Sequence, residues 1–287
     1  MAVILITGAK GQLGSEINKL SRKYLGYDFI FTDIDTLDIT NRGQTTEFIK
    51  KNEPDWIINC AAYNLVDKAE NEPAKAMLIN SEAVKNIAES ITGSECKFIH
   101  VSTDYVFDGN SNIPYNENSP ANPVSAYGKS KYSGELAALR YNRSMVIRTS
   151  WLYSSFGNNF VRTILVKAKE RDTLNVVFDQ VGSPTYAGDL ASAIIEIVAL
   201  VIRNKIAFNP GIYHYSNEGV CSWYDFAEEI VKEAGLSCKV LPILSKEYPT
   251  AARRPFYSVL DKSKIKETYG IAIPHWRSSL KNCIKLM

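Results

Sequence analysis

Three side chains of this sequence have the types and spacing for proton chemistry on a carbonyl or alcohol: Thr103, Tyr127 and Lys131. Residues 102–109 read Ser-Thr-Asp-Tyr-Val-Phe-Asp-Gly, and after a loop rich in Pro and Asn residues 127–131 read Tyr-Gly-Lys-Ser-Lys. The apolar run Phe98-Ile99-His100-Val101 has the length of a buried strand. Thr103 then falls just past its C-terminal end, where open α/β sheets bind ligands. Tyr127 opens a segment of helical composition that runs through Leu136-Ala137-Ala138-Leu139. Four residues apart, Tyr127 and Lys131 share one helix face. A phenol with a pKa near 10 is a poor proton donor or acceptor at neutral pH. An ammonium one turn away favours the phenolate and is expected to lower that pKa. The Thr103 hydroxyl could hydrogen-bond a substrate oxygen beside it. An isolated Tyr-x-x-x-Lys also occurs on solvated helix faces, so the rest of the chain must supply a site around it.

The N-terminus supplies one. Val3-Ile4-Leu5-Ile6 reads as a buried strand, followed directly by Thr-Gly-Ala-Lys-Gly-Gln-Leu-Gly, with glycines at 8, 11 and 14. Such a turn lets backbone N–H groups approach a pyrophosphate at the N-terminus of the next helix, predicted over about 15–25. Residues 28–33 read as a second strand ending in Asp33, 19 residues after Gly14. A carboxylate so placed can bond the adenosine ribose hydroxyls, which favours NADH, whereas Lys10 in the glycine loop could accept the extra phosphate of NADPH. Asp38 and Ile39 either precede and cap a helix around 41–51 or lie against an adenine ring. Trp56-Ile57-Ile58-Asn59-Cys60-Ala61-Ala62 is a third buried-type strand ending in small residues that let a flat ligand approach the backbone. Helices at about 66–71 and 74–91 lead to the strand at 97–101, and Met145 to Thr149 is the next strand. This alternation predicts an α/β fold, a doubly wound parallel sheet of Rossmann type.

After Trp151 the pattern becomes irregular. Helices are expected at about 160–170, 188–203 and 222–234, with short strands at 174–177, 211–215 and 240–244 and a turn cluster at Gly182-Ser183-Pro184-Thr185. We read residues 1–150, with about 188–216, as the nucleotide-binding domain. Residues of about 151–187 and 217–287 form a smaller, discontinuous C-terminal substrate domain closing over the cleft. Arg253-Arg254 in its last loop either recognises a diphosphate or is solvated.

Composition excludes other classes. Apolar content of 45% and charged content of 22% are those of an ordinary globular protein. A net charge of +2, from 33 basic and 31 acidic residues, gives no electrostatic case for nucleic acid or an acidic membrane surface. The five cysteines form no C-x-x-C pair, which fits a reducing cytoplasm better than a disulfide framework. Three separated histidines offer no zinc site. The first residues lack the basic and apolar regions of a signal peptide. The longest apolar stretch, Ile194 to Ile202, is too short to span a bilayer.

Together these pieces resemble the extended short-chain dehydrogenase/reductase family. The likeness rests on G-x-x-G-x-x-G, Ala61-Ala62-Tyr63, Val66-Asp67-Lys68-Ala69-Glu70, Ser102-Thr103-Asp104-Tyr105-Val106-Phe107, Tyr127-x-x-x-Lys131, Arg148-Thr149-Ser150-Trp151, Gly157-Asn158-Asn159-Phe160, Asp179-Gln180, Gly182-Ser183-Pro184-Thr185 and Ala252-Arg253-Arg254-Pro255. The resemblance implies an NADPH- or NADH-dependent reductase of the 4-keto group of a dTDP-4-dehydro-6-deoxy sugar. It implies Thr103, Tyr127 and Lys131 as catalytic. Cofactor contacts would come from Gly11, Gln12, Leu13, Asp33, Asp38, Ile39, Ala62, Tyr63 and Asn64, with Gly8 and Gly14 shaping the cradle and Tyr127 and Lys131 reaching the cofactor. Thr103, Asp104, Trp151, Asn159 and Arg254 would touch the sugar nucleotide. The alternatives within the family are an epimerase or dehydratase, which would keep its cofactor bound through turnover, the dehydratase with a further Glu or Cys beside Thr103 that this chain lacks, and a non-catalytic NADP-binding regulatory subunit. Some members form dimers bridged by magnesium through glutamates. Glu16 matches one such position, while Gly188-Asp189 stands at the other, which leaves Mg2+ open as a second cofactor and the assembly as monomer or homodimer.

Overall fold

The computed structural model describes residues 1–287. In chain order the first half alternates strand and helix: β1 (Ala2–Thr7), α1 (Gln12–Ser21), β2 (Tyr27–Thr32), α2 (Arg42–Asn52), β3 (Trp56–Asn59), α3 (Val66–Asn71), α4 (Pro73–Met77), α5 (Ala83–Ser90), β4 (Lys97–Thr103), α6 (Ala126–Leu139) and β5 (Ser144–Thr149). The second half adds β6 (Leu152–Tyr153), α7 (Phe160–Glu170), β7 (Thr173–Val177), β8 (Val181–Gly182), β9 (Thr185–Tyr186), α8 (Ala187–Ile202), β10 (Gly211–His214), β11 (Cys221–Ser222), α9 (Trp223–Glu233), β12 (Lys239–Ile243), α10 (Ser263–Tyr269) and α11 (Trp276–Ile284).

Six strands form one parallel sheet in the order β10-β5-β4-β3-β1-β2. Its strands are continuous apolar runs because helices cover both faces. On one face Ile4, Ile6, Ile58, Ile99 and Ile147 pack against Leu13 and Ile17 of α1 and Leu190, Ile194 and Val198 of α8. On the other, Leu5, Ile57, Phe98 and Val146 meet Ile49 of α2, Val84 and Ile87 of α5 and Ala138 of α6. The chain leaves β1 towards β2 and returns past β1 to β3, so the strand order reverses between β1 and β3. A crevice opens there at the carboxyl ends of the strands.

Several boundaries differ from the sequence reading for local reasons. The first helix starts at Gln12 rather than Ser15 and ends at Ser21, because Gly11 already has the extended conformation of a cap. Gly14 lies in its first turn, where a side-chain carbon would overlap the Gly8 carbonyl. The predicted helix at 74–91 is three pieces, α4, a π turn at Leu78–Glu82, and α5. The π turn brings the buried Asn80 side chain onto the Tyr63 amide, at 2.8 Å, and the Ser130 hydroxyl, at 2.9 Å. The strand expected to run to Ala62 ends at Asn59, and the strand expected to stop at Val101 continues to Thr103.

The segments around the returning α8 and β10 build a second, smaller core. β7 pairs with β12, β8 with β11 and β6 with β9. The turn cluster at 182–185 thus carries the ends of two short strands. Val161 and Ile164 of α7, Phe226 and Ile230 of α9 and Trp276 and Leu280 of α11 fill the interior. A full capping box between Ser222 and Asp225 starts α9. No helix is long and apolar enough to cross a membrane.

Candidate active site

A cavity of about 890 Å³ runs from the switch point to the second core. Its floor is the glycine loop. Gly8 has φ +68°, and a side-chain carbon there would strike the Ala61 backbone, so only glycine lets the loop lie against the end of β3. Gly11 caps α1 without a side-chain partner, leaving the first N–H groups of the helix to the cavity. Gln12 Oε1 is buried without a partner at this point. An unfilled helix start, a steric demand for glycine and an unpartnered buried acceptor fit a dinucleotide.

Gly8, Gly11, Gln12, Leu13, Asp33, Asp38, Ile39, Ala62, Asn64, Tyr127 and Lys131 all line the cavity. Gly14 and Tyr63 do not. Gly14 acts inside α1. Tyr63 is turned inward against Ala69, Ala76 and Tyr127, and its hydroxyl donates to Glu72 at 2.8 Å. Asp33 is already engaged: its Oδ2 accepts from the Lys10 amide at 2.8 Å and its Oδ1 from the Ile34 amide at 2.9 Å. The carboxylate therefore ties the glycine loop to the end of β2. Asp38 does not cap α2. That role falls to Asn41, whose Oδ1 accepts from the Gln44 amide, while Asp38 holds Thr40 through Oδ1 at 2.7 Å.

The facing wall holds the proton chemistry. Thr103 is the last residue of β4, and Tyr127 is the second residue of α6, which Ser125 caps through the Gly128 amide at 3.1 Å. A side-chain carbon at Gly128 would overlap the Tyr105 carbonyl, so this glycine lets α6 start close against the loop after β4. The Tyr105 ring meets Tyr127 edge-on with centroids 5.5 Å apart. One turn on, Lys131 donates from Nζ to the Val101 carbonyl at 2.6 Å.

The electrostatics differ from expectation in one respect. Burial dominates the Tyr127 phenol and pushes its pKa well above 10, with Thr103 pulling it part of the way back. The expected lowering by Lys131 is not among the main influences on the phenol, because burial also depresses the lysine, to about 8, against the opposing pull of Glu135. Asp104 is buried too, which raises its pKa to about 6. Its Oδ1 accepts from Thr103 Oγ1 at 3.0 Å, and its Oδ2 has no partner.

At the far end Trp151 adopts a left-handed φ of +49° and stacks on Trp223 at 3.6 Å with the planes 9° apart. Phe160 backs Trp223 at 4.5 Å. Asn159 lines the cavity but spends its side chain locally, capping α7 through the Arg162 amide at 3.1 Å and donating to the Ser154 carbonyl at 2.7 Å. Arg253 is exposed. Arg254 faces the cavity, with Nη2 on Asp67 Oδ2 at 2.5 Å and Nη1 on the Tyr105 hydroxyl at 3.1 Å. Trp223 and Cys60 also line the site and were not singled out from the sequence. The only local mark on Trp223 is its place beside the α9 capping box, and nothing near it in the chain points to Trp151.

No three His, Cys, Asp or Glu side chains converge as metal ligands. The buried Glu16 carboxylate accepts from Ser154 Oγ at 2.6 Å, and Asp189 accepts from Ser279 Oγ at 2.5 Å and Asn217 Nδ2 at 2.7 Å. Each of these carboxylates is hydrogen-bonded within its own chain.

A parallel-sheet crevice built for a dinucleotide, with a buried phenol and a threonine hydroxyl on its other wall, is the arrangement of Rossmann-fold oxidoreductases. The chain belongs to the family described as the RmlD substrate binding domain, matched over residues 1–287. It is 43% identical over 290 residues to a dTDP-4-dehydrorhamnose reductase of Aggregatibacter actinomycetemcomitans, with 98% of each chain covered. The structure superposes on a dTDP-4-dehydrorhamnose reductase of Clostridium acetobutylicum with a TM-score of 0.93 at 42% identity, covering 99% of both chains. It superposes on the Bacillus anthracis dTDP-4-dehydrorhamnose reductase in complex with NADP with a TM-score of 0.94 at 37% identity, covering 100% of both.

Proposed function

We infer that this chain is an NADPH-dependent oxidoreductase that reduces the 4-keto group of dTDP-4-dehydrorhamnose to give dTDP-L-rhamnose, a precursor for cell-surface polysaccharide. The observation that carries this reading is the placement of Thr103, Tyr127 and Lys131 in the same cavity as the glycine cradle. Full-length similarity to reductases of that name supports it.

Residues 1–150 with about 188–216 hold the cofactor, and about 151–187 with 217–287 form the lobe over the sugar nucleotide. The N–H groups around Gly11, Gln12 and Leu13 face the pyrophosphate, and Asp33, Asp38, Ile39, Ala62 and Asn64 border the rest of the dinucleotide. Bound NADPH supplies a hydride to carbon 4 of the hexose. Negative charge then builds on the ketone oxygen, where the Tyr127 hydroxyl donates a hydrogen bond and the Thr103 hydroxyl does so by turning from Asp104. Tyr127 transfers its proton to that oxygen, and the new C–H and O–H bonds complete the alcohol. The raised pKa of the buried phenol keeps this proton in place at neutral pH, which is the form a reduction requires. An alkoxide is more basic than a phenolate, so the transfer still runs downhill. Lys131, charged below about 8, stabilises the phenolate left behind. Trp151 and Trp223 border the sugar, and Arg254 stands where a diphosphate can draw it from Asp67.

The enzyme acts as a monomer or homodimer in the cytoplasm. Five cysteines without disulfides support that compartment. The test is turnover with NADPH deuterated at the transferring position and a dTDP-4-keto-6-deoxy sugar. Deuterium should appear at carbon 4 of the product with stoichiometric NADPH loss. An epimerase would consume no cofactor, and a regulatory subunit would give no labelled product.

A further inference from the structure

Beneath the cavity lies a buried ion pair that the reaction above does not use. Glu135 follows Tyr127 and Lys131 on α6 at the same four-residue interval, so the three side chains point to one side of the helix. Glu135 is 0% exposed and Arg148, on β5, is 2% exposed. Arg148 Nε donates to Glu135 Oε1 at 2.9 Å and Nη2 to Oε2 at 2.7 Å. Ser102, the neighbour of Thr103, donates to the same Oε1 at 2.6 Å. Arg148 is further placed by the Phe107 ring, 5.1 Å below its guanidinium, and by His214 Nε2 at 3.5 Å.

Two buried charges this deep are not a source of stability by themselves, since volume-matched apolar residues often do as well. Their position gives them another use. Val101 is held by Lys131 and Ser102 by Glu135, so consecutive residues of β4 are fastened to consecutive turns of α6. That fastening sets where Thr103 sits relative to Tyr127. On its other side α6 is seated by Gly134, where a side-chain carbon would overlap the Asn80 carbonyl and hold the helix away from the π turn at Leu78–Glu82.

Charge gives a second link. The groups set against Lys131 are Tyr127 and Glu135 one turn either side of it on its own helix, Cys60 after β3 and His100 on β4, with Arg148 on β5 reached through Glu135. Burial holds the Cys60 thiol neutral, with its pKa pushed up to about 12. Burial holds His100 neutral as well, far below its usual value. Arg148 is cationic. Glu135 is the one anion in the set.

We propose that Glu135 is a positioning residue for the reduction, whose buried carboxylate keeps Lys131 in its ammonium form and, with Arg148 and Ser102, fixes the strand end carrying Thr103 against the helix carrying Tyr127. This rests on Tyr127 and Lys131 being the catalytic pair. Glu135→Gln keeps the side-chain length and removes the charge. The alkaline limb of its kcat/KM profile should move down by about one pH unit, so that activity at pH 8 falls about fivefold relative to wild type and recovers towards pH 6. A purely structural role would lower kcat/KM by the same factor at every pH. Removing the carboxylate leaves Arg148 unpaired, so Glu135→Leu with Arg148→Met is made alongside, as a neutral pair of similar volume. It should fold and show a limb displaced in the same direction but by less, because the Arg148 charge is removed with that of Glu135, and NADPH affinity followed by fluorescence should shift with pH in parallel. Tyr127→Phe is the control: full activity in that variant overturns the catalytic pair itself, whereas an inactive Tyr127→Phe beside an unshifted Glu135→Gln overturns only the role of Glu135.

Discussion

Thr103 Oγ1 and Asp104 Oδ1 lie 3.0 Å apart, with the hydroxyl donating to a carboxyl group that is 2% exposed. Burying this carboxylate is costly, and the Thr103 and Ser258 hydroxyls offset only part of that cost. Burial raises the Asp104 pKa from 3.8 to about 6. The folded protein therefore binds this proton more tightly than the unfolded chain. The resulting stabilisation is present below pH 3.8 and is lost as pH rises to about 6. Asp104→Asn should raise stability at pH 7 by on the order of 2–3 kcal/mol and raise the KM for the sugar nucleotide. Urea midpoints at pH 7 and pH 4 check this, since the gain should vanish at the lower pH. An Asn variant less stable than wild type at pH 7 would contradict the cost assigned to this carboxylate.

Tyr127→Phe should leave NADPH affinity within about twofold and lower kcat by about 10²–10⁴-fold, the usual contribution of a general acid. The phenol is buried against Tyr105 and Tyr63, so the ring is held by packing and the substitution removes little else. Retention of more than about a third of wild-type kcat would exclude Tyr127 as the proton donor.

The cradle and the catalytic pair were legible because their signals are local. An apolar strand followed by glycines at fixed intervals can be read within a few residues, as can a Tyr and a Lys one turn apart. The stack of Trp151 on Trp223 and the pair of Arg148 with Glu135 were not legible, since each joins residues from different elements. The same limit explains the reading of the Tyr127 pKa. A neighbouring lysine is visible in the chain, but the burial that dominates both groups arises only when α6 packs on β4. The predicted first helix ran on to about residue 25, whereas the helix ends at Ser21 and Leu25 is 88% exposed.

Asp33 should matter to both cofactors alike. Its two oxygens accept from the Lys10 and Ile34 amides, so it orders the loop that every dinucleotide contacts. Asp33→Ala is expected to lower kcat/KM for NADPH and NADH by similar factors, roughly tenfold each, the scale of one charge-assisted hydrogen bond. A loss confined to NADH would instead show the carboxylate bonding the ribose 2′-hydroxyl directly.

His214 should make the fold acid-sensitive. The ring is 0% exposed, donates from Nδ1 to the Tyr115 carbonyl at 3.1 Å, and presents Nε2 to the Arg148 guanidinium. Burial and the adjacent arginine lower its pKa from 6.5 to about 3. Between those values the unfolded chain binds a proton that the folded protein refuses. The stability from a neutral His214 is thus fully present above pH 6.5 and is lost as pH falls towards 3. The loss from pH 6.5 to pH 4.5 is on the order of 2–3 kcal/mol. Asp104 opposes it over part of that range, because its stabilisation grows as pH falls below 6. His100, also buried and neutral, adds to the loss. Comparison with a variant isolates the one residue. His214→Gln keeps a polar side chain without a titrating ring. At pH 7.5 it should be less stable than wild type, through poorer packing against Phe107. By pH 4.5 that deficit should shrink or reverse, because only the wild type loses stability to a proton that the unfolded chain binds and the folded ring beside Arg148 refuses. Urea midpoints for both proteins across this range decide it. Curves that fall in parallel from pH 7.5 to pH 4.5 would place the acid sensitivity elsewhere in the fold.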